Sequence, residues 1–305
     1  MTTLRIAFFG TPSFAAQILE DLIERNVSIV AVVSQPDRPK GRSLRLAPTP
    51  VKEVALAKLS EAILFQPEKA SNPVFLDQLA ALSVDLYVVV AFGQILPQKL
   101  LQIPRLGCIN VHASLLPKYR GAAPIQRALL NGDRETGISI QKMVRELDAG
   151  DVICKEKIAI SPEMTYGELE AALCALSKPL LFSALRAYEK GIPPAEPQDP
   201  SQVTFAPKVT AEEAQIHWDK DAATLHNQIR AFNPRPGAWC WVEWNGEKKR
   251  LKILRARVAQ SPDNKEFYIP CGRGFLQLLE VQMEGKPRCL AADWLRGARV
   301  PPKFF

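Results

Sequence analysis

Asn110, His112 and Asp148 are the residues of this 305-residue chain whose types and spacing suit chemistry at a carbonyl carbon. Asn110 and His112 stand two apart in C-I-N-V-H, a run that reads as a strand, and alternate side chains of a strand project to one face. A histidine takes or gives a proton near neutral pH. An asparagine amide beside it donates to an oxyanion forming at a carbonyl carbon, and such a donor lowers a barrier by about 3 kcal/mol. Asp148, in L-D-A-G-D, places a carboxylate in a turn. If it reaches the pair, it orients the imidazole or an intervening water and raises the basicity of the ring. On the pair alone, a histidine satisfied for structural reasons at a strand end is an open alternative.

The segment after His112 weighs on that choice. A-S-L-L-P-K-Y-R-G-A-A-P carries Pro117, Gly121 and Pro124, which exclude a regular element, and sets Ser114, Lys118 and Arg120 around the histidine. A stiff polar loop at a strand end suits a binding site.

The elements that must position these residues read as alternating strands and helices. Strands are expected at 4–9, 28–33, 63–65, 86–91 and 108–112, the first, second and fourth almost wholly apolar. Helices are expected after Gly10-Thr11-Pro12, with Thr11 as the cap, after Thr49-Pro50, and over 165–190. Such alternation implies an α/β fold with a mostly parallel sheet covered on both faces. Ligands bind outside the carboxyl ends of its strands, so Gly10, Phe92-Gly93 and 110–112 should converge on one crevice.

At 192–207 the composition changes: five prolines in sixteen residues imply an extended, semi-rigid linker. Beyond it, a helix near 222–231 and short strands near 239–244, 249–257, 267–270 and 275–281 suggest a small β-barrel or sandwich. The expected division is a catalytic domain at 1–190, a linker at 191–207 and a basic domain at 208–305. Charge supports it. Residues 1–207 hold 22 Lys and Arg against 21 Asp and Glu, whereas 208–305 hold 17 against 11. A polyanionic partner for the last third, or simply a basic surface, would account for the excess.

Six scattered cysteines form no C-x-x-C pair, and reduced thiols are expected. No run of eighteen apolar residues suggests a membrane span, and the chain enters a strand-like run at once, without a leader pattern. A cytoplasmic protein is therefore expected, and separately a monomer.

The run G-C-I-N-V-H-A-S-L-L-P-K-Y-R-G-A-A-P-I-Q-R-A at 107–128 resembles the signature of the folate-dependent formyltransferases. F-G-T-P at 9–12, Q-P-D-R-P-K-G-R at 35–42, V-V-V-A-F-G at 88–93 and L-D-A-G-D at 147–151 are similar to that family, in its order. I-R-A-F-N-P-R-P-G-A-W at 229–239 resembles its C-terminal domain. The likeness spans essentially the whole chain; Ala113 departs from a more usual glycine.

The resemblance implies a Rossmann-like formyltransferase domain followed by an OB-like β-barrel. It implies 10-formyltetrahydrofolate as donor, the α-amino group of initiator methionyl-tRNA as acceptor, and catalysis by Asn110, His112 and Asp148 without a metal. Folate would lie across Phe92, Gly93, Ser114, Leu115, Leu116 and Pro117, using backbone groups for the pterin and apolar side chains for its flanks. The long connection 34–50, with Arg38, Lys40, Arg42 and Arg45, would enter the acceptor end of the tRNA.

Other features are read from the residues. Lys248, Lys249 and Arg250, continued by Lys252, Arg255 and Arg257, form a basic stripe read as a phosphate surface or a lysine-guarded strand edge. Trp239, Trp241 and Trp244 could stack on bases, but Trp239 and Trp241 are expected in the small barrel's core, and His217 and His226 in structural or surface roles. A small-molecule formyltransferase, acting on glycinamide ribonucleotide or an amino sugar, would share the catalytic trio but not need the basic domain. A non-catalytic RNA-binding module would not need the trio. A nicotinamide enzyme lacks its G-x-G-x-x-G.

Overall fold

The computed structural model describes residues 3–40, 45–259, 261, 267–298 and 300–305. In chain order its elements are β1 (Ile6–Gly10), α1 (Ser13–Glu24), β2 (Ile29–Val33), β3 (Arg38–Lys40), β4 (Arg45–Ala47), α2 (Pro50–Lys58), β5 (Ile63–Phe65), α3 (Pro73–Ala80), β6 (Leu86–Val90), α4 (Gln98–Leu101), β7 (Cys108–His112), β8 (Arg120–Gly121), α5 (Pro124–Leu130), β9 (Glu135–Lys142), β10 (Val152–Ala159) and α6 (Tyr166–Tyr188). There follow β11 (Phe205–Ala206), α7 (Ala222–Ala231), β12 (Ala238–Trp244), β13 (Glu247–Ala259), β14 (Tyr268–Pro270), β15 (Phe275–Met283), β16 (Cys289–Leu290), α8 (Ala291–Arg296) and β17 (Lys303–Phe304).

The chain packs into two compact units that are discontinuous in sequence. The first comprises Met1–Gly121, Gly137–Ile158 and Ala171–Phe205; the second comprises Ala122–Thr136, Ala159–Glu170 and Ala206–Phe305.

The first unit is built on a sheet in the order β10-β9-β7-β6-β1-β2-β5. β1 pairs in parallel with β2 and β6, β2 with β5, and β6 with β7. Every residue of β1 and β6 is buried, as expected of strands covered on both faces. The chain builds outward from β1 through β2 and β5, then returns to build the other way through β6 and β7. This places a topological switch at the β1–β6 boundary, where such sheets bind ligands. Phe9, Tyr87 and Phe92 form the aromatic centre of the core on one face, with Phe9 edge-on to Phe92 at 5.5 Å.

Four features differ from the sequence reading. The sheet continues past β7 with β9, antiparallel to it, and then β10. β9 was not legible because Thr136, Ser139 and Gln141 interrupt its apolar run, yet all are buried. Thr11 is not the cap of α1: Pro12 occupies that place, and the Thr11 hydroxyl donates to the Phe92 carbonyl at 2.8 Å. Thr49 does cap α2, accepting from the Lys52 amide. The connection 34–50 contains the antiparallel ladder β3–β4. Finally, Glu196 exchanges both backbone hydrogen bonds with Val152, 2.8 Å each, so the proline-rich stretch adds to the edge of the first unit's sheet.

The second unit carries an antiparallel half-barrel in the order β14-β15-β13-β12-β17, with β16 on β15. Asn245 and Gly246 both have positive φ and make the tight turn between β12 and β13. β12 alternates strictly. Ala238, Cys240 and Val242 are buried while Trp239 and Trp241 are half-buried on the opposite face, so neither tryptophan is in the core. Within the same unit Arg127 of α5 forms an ion pair with Glu213 and donates to the Pro207 carbonyl. Among the described residues no helix is long and apolar enough to cross a membrane.

Candidate active site

β7 lies beside β6, one strand from the switch point, and carries Asn110 and His112 on one face. In register on β9, Asn110 faces Gln141 and His112 faces Ser139, so four polar side chains share that face. The turn between β9 and β10 returns Asp148 over them. Asp148 adopts φ 49°, the left-handed region that aspartate tolerates better than most residues. Gly150 permits the close return: a Cβ there would stand 1.7 Å from the Lys142 carbonyl oxygen.

The Asp148 carboxylate is anchored from three directions. Oδ1 accepts from Gln141 Nε2 at 2.9 Å and, more loosely, from Asn110 Nδ2 at 3.4 Å. Oδ2 accepts from the Gly121 amide at 2.8 Å. Oδ2 also lies 3.7 Å from His112 Nδ1, too far for a direct hydrogen bond.

His112 is 5% exposed, and its Nε2 meets the Tyr119 carbonyl oxygen at 2.9 Å. A carbonyl only accepts, so Nε2 carries the hydrogen and Nδ1 of the neutral ring holds the lone pair. The basic nitrogen is thus the one beside the Asp148 carboxylate, to which the Asn110 amide also donates. The loop that supplies Tyr119 is itself fixed: Ser114 Oγ donates to the Lys118 carbonyl at 2.6 Å, and Ser139 Oγ donates to the Ser114 carbonyl at 2.7 Å. The site presents a base, an amide donor and a carboxylate to one point, the set needed for acyl transfer to an amine. Among the described residues no three or more His, Cys, Asp or Glu side chains cluster as metal ligands.

Residues 4–185 match the family model "Formyl transferase", and residues 208–299 match "Formyl transferase, C-terminal domain". The chain belongs to the formyl transferase family. It is 48% identical over 304 residues to "Methionyl-tRNA formyltransferase" of Protochlamydia amoebophila, covering 96% of this chain and 95% of that protein. It is 42% identical to the protein of the same name from Geobacter sulfurreducens, covering 99% and 96%. Among solved structures, HypX from Aquifex aeolicus in complex with tetrahydrofolic acid superposes with TM-score 0.66 at 17% identity, over 96% of this chain and 47% of that one. WlaRD, a sugar 3N-formyl transferase, gives TM-score 0.65 at 17% identity, over 94% and 100%. At such identity these two show the fold alone.

In this formyl transferase the residues expected to hold folate divide into two groups. The side chains of Phe92, Ser114 and Leu116 are buried; Gly93 is exposed, and Leu115 and Pro117 are half-buried. The Phe92 carbonyl already accepts from Thr11 and Gln35, and the Leu116 amide donates to Ser139. The expected nucleic-acid residues also divide. Arg38 is ion-paired with Glu68 at 2.6 Å on an exposed surface. Lys40 and Arg45 pair through their backbones in β3–β4, and Arg42 lies outside the described residues. On β13, Lys248 and Arg250 share the outer face with Trp241 and Trp239, whereas Lys249 is paired with Glu247 at 2.6 Å. The Arg250 guanidinium lies 4.0 Å from the centre of the Trp239 ring, and Lys248 Nζ lies 5.1 Å from that of Trp241. Sequence reasoning missed Gln141, Tyr119, Gly121 and Gln198 as partners of the trio. Gln141 alone had a readable signal, its register with Asn110 once β9 is recognised as a strand.

Proposed function

We propose that this chain transfers the formyl group of 10-formyltetrahydrofolate to the α-amino group of methionyl initiator tRNA, giving N-formylmethionyl-tRNA. The observation that carries the chemistry is the fixed imidazole. With Nε2 committed to Tyr119, Nδ1 is a base on the face shared with Asn110 and Asp148. The acceptor is assigned from relatives of that name, matched over nearly their whole length.

The reaction follows from these positions. The neutral amine forms a bond to the formyl carbon, and the carbonyl electron pair moves to oxygen. Asn110 donates an amide hydrogen to that oxyanion. His112 Nδ1 accepts the proton released by the attacking nitrogen, and Asp148 stabilises the resulting imidazolium. When the bond to the folate nitrogen breaks, His112 returns the proton to that nitrogen. No electrons are gained or lost. The donor would lie across Gly93 and the loop 114–117, with Leu115 and Pro117 against its flanks.

We further propose a division of labour between a catalytic portion at 1–190 and a basic portion at 208–305, joined by 191–207. The outer face of β12–β13 suits the RNA backbone. Arg250 stacked on an indole keeps its planar fork free at the edge, the geometry that matches a phosphate. The protein would act as a cytoplasmic monomer.

The test offers the protein formyl-folate with charged initiator tRNA, charged elongator tRNA, glycinamide ribonucleotide and an amino sugar. Formylation of the initiator alone is expected. Preferential formylation of either small amine would overturn the assignment.

A further inference from the structure

The proline-rich stretch carries one side chain whose placement a linker does not require. Gln198 follows Pro197 and lies two residues past the backbone exchange between Glu196 and Val152, which draws it under the turn that holds Asp148. Its Nε2 donates to the Asp148 carbonyl at 2.8 Å and to the Gly150 carbonyl at 2.7 Å. Its Oε1 accepts from Arg120 Nε at 3.0 Å and Arg120 Nη2 at 2.8 Å. A glutamine amide has two hydrogens and two lone pairs, so all four are used. With carbonyls on one side and a guanidinium on the other, only one orientation of the amide satisfies both.

This clamp grips two carbonyls of the turn, Asp148's own and that of Gly150, directly after the Asp148 α-carbon where φ is 49°. A left-handed non-glycine residue persists only where its surroundings hold it. The neighbour of Arg120, Gly121, donates to the Asp148 carboxylate at 2.8 Å. The dipeptide 120–121 therefore fixes the turn twice, through Gln198 to its backbone and directly to its side chain.

We propose that Gln198 and Arg120 are positioning residues for the formyl transfer. They hold the Asp148 turn so that its carboxylate stands beside His112 Nδ1, and they make the proline-rich stretch part of the active site's support. The inference rests on the reading of Asp148 as the partner of His112. The prolines serve it directly: Pro197 and Pro200 limit backbone freedom on either side of Gln198, so the amide arrives with few alternatives.

Three variants of the full chain test this: Gln198→Met, which keeps the volume and removes the amide, Asp148→Asn, and their combination. Gln198→Met should lower kcat by about tenfold or more, as expected for a displaced catalytic group, with KM for both substrates within about twofold. The double variant should be no slower than Asp148→Asn alone, since the clamp acts only through Asp148. Gln198→Glu, which can still accept from Arg120 but sets a carboxylate against two carbonyls, should reproduce the Gln198→Met defect. If Gln198→Met keeps kcat within twofold, or its loss multiplies with that of Asp148→Asn, the positioning role is overturned while the Asp148 reading stands. A fully active Asp148→Asn overturns the Asp148 reading itself, and the inference with it.

Discussion

The crevice of the first unit and the outer β-face of the second both concentrate polar groups, but they hold them by different means. Around Asp148 and His112 the contacts are made by groups whose own positions are fixed, either by a buried strand, as for Gln141, or by backbone, as for the Gly121 amide on Asp148 and the Tyr119 carbonyl on His112. On β13 Lys248 and Arg250 are exposed and rest on aromatic rings, and the half-buried Lys249 lies beside the single carboxylate of Glu247. Exposed ion pairs contribute only about 0–1 kcal/mol and weaken with salt. Acyl transfer needs atoms placed to a fraction of an ångström, so it calls for a mutually satisfied network. Attraction of a polyanion depends on the summed field and tolerates adjustable side chains.

Substitutions can break this comparison. The largest effect should come from His112→Ala, which removes the base and should lower kcat between about 100- and 10,000-fold. Steady-state assays and thermal melts together check it; a loss of stability matching the loss of rate would mean the imidazole is structural. Asn110→Ala should follow, with kcat down about 100- to 1000-fold and donor binding little changed, measured by fluorescence titration of folate. On the second unit, Arg250→Ala should weaken tRNA binding about five- to tenfold, lower the salt slope by about one and leave folate binding alone. Lys249→Ala, already neutralised by Glu247, should change affinity less than about twofold. Equal losses from Arg250→Ala and Lys249→Ala would refute the assignment of the outer face.

The smallest effect concerns His226, 3.4 Å from Glu163 in the second unit. Burial holds its pKa below the ordinary 6.5, with Glu163 opposing the shift. The unfolded chain then binds the proton more readily, so this contribution to stability is complete above pH 6.5 and is lost as pH falls. Between pH 7 and 5 the melting temperature should fall by about 1–3 °C more in the parent than in His226→Gln. An identical pH dependence in the two would remove His226 from the account.

The strands of the parallel sheet were legible because both faces are buried and their runs are apolar. Helix α2 was legible because Thr49-Pro50 is a cap signal that local chemistry enforces. Strand β9 was not, since Ser139 and Gln141 look like loop residues until the crevice they serve is known. Trp239 and Trp241 were misplaced for a related reason. Large aromatic residues read as core, and only the register with Lys252 and Arg250 shows that they face outward.

By itself the sequence determined which residue types were available. Asn110 and His112 lie on one face because a strand has a period of two, Asp148 lies in a turn because glycine and aspartate punctuate it, and a basic last third follows from simple counting. Only the tertiary structure decided which nitrogen of His112 is the base, because that depends on a carbonyl seven residues away in a folded loop. It alone brought Gln198 under Asp148, because 50 residues of chain separate them and no local rule spans that distance.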